Sequence, residues 1–349
     1  MNNMNADSAT VDSRAAWIVA GASLAILTIA YGAPLLAAVA LKPIAAEFGT
    51  DRAAPAAAPA LALIGTAFGG IVAGWLSGRL GIRRIVLFGA AMIAAGLVLS
   101  ASGGLMHLYV GHGLLIGLFG ASCIFSPVVT YVSRWFDRSR GTAVAMISSG
   151  QSLSGVVWPI LFQTCITEFG WRKTMLVFGL FVGASILALA AIFLRPPPEA
   201  RRSPGAGGAD PQAGASVFGL SPNLAMIALM IAIFCCCVPM AMPSQHIVAF
   251  CGDLGIASQS GAAMLSVLLG SAFLARQFWG WLADRIGGLW TLLWSSLAQA
   301  TALVGFLLTQ DEAGLVAVSA AFGFGFSGLV PASVIVIGKL SPVQERNWR

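Results

Sequence analysis

Arg276 is the residue whose type and position point most directly to chemistry. It stands within an apolar segment, 261–282, that is long enough to cross a membrane. Every other lysine and arginine lies between such segments or at their ends. A charged side chain inside a bilayer is costly unless something compensates it. Because the guanidinium group forms a planar fork that matches a carboxylate, we expect Arg276 to bind an anionic substrate.

Two other interpretations of Arg276 stay open at this point. Its side chain could extend to the membrane surface, or it could pair with Asp284, two turns further along the same segment. All 13 Asp and Glu residues lie in tails, connecting segments or segment ends. No carboxylate is therefore expected in the middle of the membrane, where it could relay protons.

Four further polar residues interrupt apolar segments and are candidates for substrate binding: Tyr31, Gln151, Gln245 and His246. An unpaired hydroxyl or amide in an apolar helix is costly, so such groups tend to face the interior of a bundle. Ordinary hydrogen bonding between helices is the alternative for the tyrosine and the glutamines. A histidine that is simply hydrogen-bonded is the alternative for His246.

Signatures of enzymes and metal sites are missing from the sequence. It contains no His-Glu-x-x-His, no Gly-x-x-x-x-Gly-Lys-Ser/Thr and no Gly-x-Ser-x-Gly. The run Cys235–Cys237 does not suggest a metal site, because consecutive residues point about 100 degrees apart on a helix. We therefore predict that the chain is not an enzyme, with no catalytic residue, no metal and no cofactor.

The elements that would position the candidate residues are membrane-spanning helices. Hydrophobic residues make up 58% of the chain and charged residues only 9%, whereas about a quarter of a soluble domain is charged. The apolar runs are unbroken rather than alternating, which predicts an all-α membrane protein and not a barrel. We predict about ten spans, at 17–39, 56–77, 85–102, 107–133, 141–163, 174–194, 224–248, 261–282, 289–308 and 314–338.

The spans fall into two groups separated by a segment that cannot fold by itself. Residues 1–195 are predicted to form a six-helix bundle, and residues 222–349 a second, incomplete bundle of about four helices. Between them, 196–221 is rich in Pro, Gly and Ala, which is typical of a linker. A second half as long as the first would need about two more helices, so the sequence predicts a truncated second bundle.

The distribution of positive charge predicts the orientation of the chain. The net charge is +6, but these cations lie in short connections, where they set membrane topology rather than bind nucleic acid. One set of connections carries only Lys42, Arg52, Arg172 and Lys173. The other set carries the remaining cations near span ends, so the N-terminus and the linker are predicted to be cytoplasmic in a multi-pass protein of the cell (inner) membrane.

An internal repeat links the two groups of spans. The segment Gly74-Trp75-Leu76-Ser77-Gly78-Arg79-Leu80-Gly81 recurs as Gly280-Trp281-Leu282-Ala283-Asp284-Arg285-Ile286-Gly287. Each copy ends the second span of its group. Two repeats in the same orientation, joined by a linker, are typical of one large class of transporters.

These repeated segments resemble the signature of the major facilitator superfamily, whose loop after the second helix reads roughly Gly-x-Leu-Ala-Asp-Arg-x-Gly-Arg-Arg. In that family the acid caps a neighbouring helix and pairs with an arginine. The first copy has Gly78 at the position of the acid, and the second copy keeps Asp284. The resemblance assigns a cytoplasmic gate to Gly74, Arg79, Gly81, Arg83, Arg84, Gly280, Asp284, Arg285 and Gly287.

Two other stretches resemble a particular part of that superfamily. The segment 134–143, followed by Gly150, Gly155 and Pro159, and the segment 245–250 are similar to bacterial monocarboxylate-transporter-like and oxalate/formate-exchanger-like members. This resemblance implies symport or antiport of a small organic anion, a monocarboxylate or dicarboxylate, by alternating access in a lipid bilayer.

The chain departs from the monocarboxylate carriers at two positions. Those carriers have a lysine just after the proline of the first helix, where this chain has Leu35. They also have an aspartate one turn before the arginine of the eighth helix, where this chain has Ala272. Two alternatives stay beside the anion carrier. The loss of two helices could leave a truncated, non-transporting remnant, and the chain could be a carrier of another solute such as a drug-like efflux substrate.

Overall fold

The computed structural model of the chain describes residues 11–195, 222–256 and 258–340. Within these residues the chain consists of helices joined by short connections and contains no strand, which confirms the all-α fold class. The predicted linker at 196–221 lies entirely outside the described residues.

Besides the short helix Leu41–Phe48, ten long helices follow one another along the described chain, one for each predicted span. They are α1 (Arg14–Val39), α2 (Ala53–Leu80), α3 (Ile82–Ser102), α4 (Leu105–Ser133), α5 (Arg140–Phe169), α6 (Trp171–Phe193), α7 (Pro222–Asp253), α8 (Ser258–Ile286), α9 (Gly288–Leu308) and α10 (Glu312–Ile337). Of the helices in the described ranges, eight are long and apolar enough to cross a membrane, and α7 contributes the shorter apolar segment Leu224–Met240. The remaining helix, α8, carries Arg276 in its interior.

Both copies of the repeat end in the same turn. Gly81 separates α2 from α3, and Gly287 separates α8 from α9. Their φ angles are 82° and 85°, a backbone conformation that residues other than glycine rarely adopt. The amide of Gly81 donates to Ser77, and that of Gly287 to Ala283, which closes the preceding helix in each case. A single glycine therefore reverses the chain between helices in both copies.

The helices belong to two compact units, with α5 divided between them. One unit holds residues up to Trp135 together with the chain from Leu153 to the end of α6. The other holds Phe136–Ser152 and helices α7 to α10. In the first unit α4 packs against α2 and α3, and α6 packs against α3. In the second unit α8 packs against α10, against α7 and against the first part of α5.

An arginine clamp holds one end of the first unit together. Arg172, at the start of α6, pairs with Glu47 of the short helix Leu41–Phe48 at 2.8 Å. Its guanidinium also donates to the carbonyl oxygens of Ala101 and Gly103, at the end of α3. The neighbouring Trp171 donates to the same Glu47 carboxylate at 2.6 Å. One carboxylate and one guanidinium thus join three elements.

Helices α2 and α4 approach each other closely through glycines. The sequence has one Gly-x-x-x-Gly pattern in each helix, at Gly65 and Gly69 and at Gly113 and Gly117, and such patterns let helices pack closely. A Cβ atom added at Gly65 would collide with the carbonyl oxygen of Gly113. One added at Gly69 would collide with the carbonyl oxygen of Leu118 and lie 2.7 Å from the hydroxyl of Ser122. The backbones of the two helices are therefore in direct contact.

We expect Gly69→Ala to lower the stability of the chain by about 1–3 kcal/mol, because the added methyl group meets backbone atoms that cannot move independently. Gly70→Ala is the matched control, since a Cβ atom there has no neighbour within 4 Å. It should leave stability unchanged or raise it slightly, as alanine favours helix. Thermal unfolding of the two purified variants in detergent measures the difference. Equal unfolding temperatures for the two variants would contradict direct backbone contact between α2 and α4.

Candidate functional site

Arg276 is buried in the second unit, where α8 packs against the first part of α5. Only 6% of its surface is exposed. One terminal nitrogen donates to the carbonyl oxygen of Ser148 at 2.7 Å, and the buried Nε has no hydrogen-bond partner. Among the described residues no carboxylate forms an ion pair with this guanidinium. The charge of Arg276 is therefore not neutralised by the part of the chain that is described.

An interruption of α5 creates the acceptor that Arg276 uses. The helix Arg140–Ser148 ends at Ser149, and a second helix begins at Gly150. Backbone carbonyl groups at the end of a helix lack their usual partners inside the helix. The carbonyl of Ser148 can thus accept a hydrogen bond from a neighbouring helix.

Gln277 reinforces the same contact. Its side-chain nitrogen donates to the hydroxyl of Ser149 at 2.7 Å, and that hydroxyl donates to the carbonyl of Ala145 at 2.8 Å. Two consecutive residues of α8 therefore bind two consecutive residues of α5. The sequence analysis missed Gln277, Ser148 and Ser149. The signal was present as the run Ser148-Ser149-Gly150, which weakens a helix inside an apolar span.

The other predicted substrate-binding residues are distributed over both units. Tyr31, in the first unit, lies where α1 is interrupted and packs edge-to-face against Phe125, with ring centroids 5.7 Å apart. Gln151 is exposed and follows Ser148 by three residues along α5. Gln245 and His246 belong to α7, but their side chains lie outside the described part of the structure. Their roles stay predictions.

Asp284 holds the beginning of α5 against α8. Its carboxylate accepts hydrogen bonds from the amide of Gly141 at 2.5 Å, from the amide of Thr142 at 2.9 Å and from the hydroxyl of Thr142 at 2.8 Å. The first amides of a helix have no partner inside it and attract negative charge. Asp284 is consequently engaged at this helix end, and it forms no ion pair with Arg276.

Gly280 allows α8 to approach the first part of α5, and the hydrogen bonds of Asp284 hold the two helices together. A Cβ atom added at Gly280 would collide with Ala145, and one added at Gly141 would lie 2.8 Å from the carboxylate of Asp284. Gly280 and Asp284 are one helical turn apart, so they lie on the same face of α8. The spacing Gly-x-x-x-Asp in the second copy of the repeat therefore describes a contact between two helices.

The two copies share one local feature and differ in another. The guanidinium of Arg79 lies 4.0 Å from the ring centre of Trp75, and that of Arg285 lies 4.1 Å from the ring centre of Trp281. Both pairs are one turn apart on their helices. At the position of Asp284 the first copy has Gly78, so it lacks the capping carboxylate.

The described ranges contain no group of three or more His, Cys, Asp or Glu side chains that could hold an ion. The guanidinium of Arg276 can bind a negative charge by hydrogen bonds and by electrostatic attraction.

Comparison with known proteins places the chain in a family. Monocarboxylate transporter 13 of Bos taurus is 30% identical over 277 residues, 78% of this chain and 63% of that protein. An agnestins efflux protein of Paecilomyces divaricatus is 28% identical over 74% of this chain and 58% of its own length. The chain thus spans about 60% of the length of these curated relatives.

Solved structures agree with the fold. The crystal structure of the transporter FucP in the outward conformation superposes with a TM-score of 0.70, at 16% sequence identity, over 96% of this chain and 87% of that one. The model of the Major Facilitator Superfamily matches residues 18–347. The chain therefore belongs to the Major Facilitator Superfamily.

Proposed function

We propose that the chain is a secondary transporter that moves a small organic anion, a monocarboxylate or dicarboxylate, across a membrane by alternating access. The observation that carries this proposal is the buried guanidinium of Arg276, which has no carboxylate partner in the described residues. A transport site must hold its substrate and release it again. An anion that neutralises Arg276 only while it is bound meets both requirements.

The energetic cost of Arg276 supports a function rather than a structural role. Burying an ion without a partner costs several kcal/mol even after the protein relaxes. The hydrogen bond to Ser148 offsets only part of this cost, because a carbonyl oxygen carries a partial charge. A bound carboxylate could accept hydrogen bonds from the remaining donors of the guanidinium. Binding would then stabilise the whole chain.

The relatives support the same substrate class by name. One of them is called a monocarboxylate transporter, and it covers most of this chain. Tyr31, Gln151, Gln245 and His246 remain the residues that we propose to contact the substrate beside Arg276. We further propose a cell-membrane location with the N-terminus and the linker in the cytoplasm, which rests on the distribution of cations in the sequence.

Efflux of a larger or neutral solute is the second candidate function. A relative that is named an efflux protein is nearly as similar to the chain as the monocarboxylate transporter. This chain also has Leu35 and Ala272 at the two positions where the monocarboxylate carriers have a lysine and an aspartate. Under this alternative the arginine would bind no carboxylate.

Ligand-induced stabilisation of the purified chain tests the proposal. A ligand at ten times its dissociation constant stabilises the protein that binds it by about 1.4 kcal/mol. We expect lactate or oxalate to raise the unfolding temperature, and the neutral analogue lactamide to leave it unchanged. Stabilisation by bulky neutral compounds but by no carboxylate would favour efflux and contradict the anion carrier.

A further inference from the structure

A second basic site lies at the other copy of the repeat, in the first unit, far along the chain from Arg276. A pocket of about 940 Å³ opens where α2 ends, α3 begins and α6 ends. Four arginines line it: Arg79, Arg83, Arg84 and Arg195. None of its lining residues is acidic.

The charge of this pocket is not balanced within the described part of the chain. No ion pair to any of the four arginines is present there. In the other copy Asp284 stands beside Arg285, but the corresponding residue here is Gly78, which also lines the pocket. Four guanidinium groups around one pocket repel each other unless an anion lies among them. The pocket is therefore suited to a ligand of negative charge.

Two of the arginines are held in place by neighbouring residues. The guanidinium of Arg79 stacks on Trp75 at 4.0 Å. The carbonyl oxygen of Arg195 accepts a hydrogen bond of 2.6 Å from the hydroxyl of Tyr131, which fixes the end of α6. Ordering these groups in advance reduces the entropy that binding must lose.

The rest of the lining is apolar, which distinguishes a lipid from a free anion. Leu80, Ile82, Ile192 and Leu194 share the pocket with the arginines, and Leu80 and Ile192 are exposed. All three helices that form the pocket are apolar enough to cross a membrane, so the pocket lies at a membrane surface. A soluble anion would gain nothing from these aliphatic side chains, whereas acyl chains would pack on them.

We infer that this pocket binds the headgroup phosphate of an anionic phospholipid, with Arg79, Arg83, Arg84 and Arg195 around the phosphate and the acyl chains along the aliphatic side chains. Basic pockets between helices at a membrane surface suit such headgroups. The second copy offers no equivalent, because Leu289 and Trp290 stand where the first copy has Arg83 and Arg84.

Native mass spectrometry of the full chain in detergent, with palmitoyl-oleoyl phosphatidylglycerol and phosphatidylcholine in equal amounts, tests this inference. We expect the chain to retain phosphatidylglycerol in preference to phosphatidylcholine. The triple variant Arg83→Gln, Arg84→Gln, Arg195→Gln should bind phosphatidylglycerol about 100-fold more weakly. If the triple variant aggregates, the single variant Arg195→Gln serves instead. It should stay folded because this side chain is exposed, and it should still lower the affinity for phosphatidylglycerol.

The matched control removes the same number of charges at the opposite end of the spans. The variant Lys42→Gln, Arg52→Gln, Lys173→Gln changes three exposed residues outside the pocket and should keep the preference. Equal loss in both triple variants would overturn the inference, as would no loss in either. Displacement of the lipid by millimolar inorganic phosphate would assign the pocket to a free anion instead. Because no transport is measured, the outcome is independent of the proposed anion carrier.

Discussion

Arg276→Gln is expected to reduce saturable carboxylate uptake by about 100-fold while leaving the chain folded. Glutamine keeps a neutral hydrogen-bond donor at this position, but it offers no charge to a substrate. A hydrogen bond to a charged group contributes up to about 3 kcal/mol, which corresponds to a loss of about 100-fold in uptake efficiency. Uptake of radiolabelled substrate into proteoliposomes measures it.

The stability of the Arg276→Gln variant should not fall with its uptake. Since Arg276 is buried without a carboxylate partner in the described residues, removing its charge also removes the cost of burying it. The unfolding temperature without substrate should therefore stay the same or rise. Arg52→Gln, the same exchange at an exposed residue, should alter neither quantity. A destabilised Arg276→Gln variant with normal uptake would show that the arginine is structural.

Asp284→Ala should lower the stability of the chain by about 2–3 kcal/mol and reduce uptake with it. The substitution leaves the amides of Gly141 and Thr142 without their acceptor and removes a negative charge from the start of a helix. The same helix ends at Ser148, which binds Arg276, so a shift of its start should also disturb the candidate site. Thermal unfolding and uptake, measured on one preparation, report both effects.

Asp311 provides the matched control for this prediction. It caps the start of α10 by accepting a hydrogen bond from the amide of Gly314 at 2.8 Å, but it is exposed. Loss of an exposed cap costs about 1 kcal/mol. Asp311→Ala should therefore reduce stability less and leave uptake unchanged. Equal effects of the two alanine substitutions would mean that Asp284 acts only as an ordinary helix cap.

The helices of this chain could be predicted from sequence because their signal is local. Each span is a run of apolar residues, and the structure has a helix at each of the ten predicted positions in the described ranges. The repeated glycines Gly81 and Gly287 could be recognised for the same reason, since a positive φ angle is a property of one residue. The sequence also singled out Arg276 as a charge inside an apolar segment.

The partners of the polar side chains could not be predicted, because they depend on helices distant in sequence. Asp284 binds Gly141 and Thr142, more than 140 residues earlier in the chain. The alternative pairing of Asp284 with Arg276 fails because eight residues along a helix span about 12 Å. The clamp between Glu47 and Arg172 could not be predicted either, because the two residues are 125 positions apart and both lie near the ends of helices, where the sequence does not show which charges meet.

Uptake of radiolabelled lactate and oxalate into proteoliposomes, with the chain and its Arg276→Gln variant side by side, tests whether Arg276 binds the transported anion. We expect saturable uptake by the chain, competed by unlabelled carboxylates but not by lactamide, and a loss of about 100-fold in the variant. Equal uptake by the chain and the variant, or equal competition by the neutral amide, would contradict the assignment of Arg276 as the anion-binding residue of a carrier.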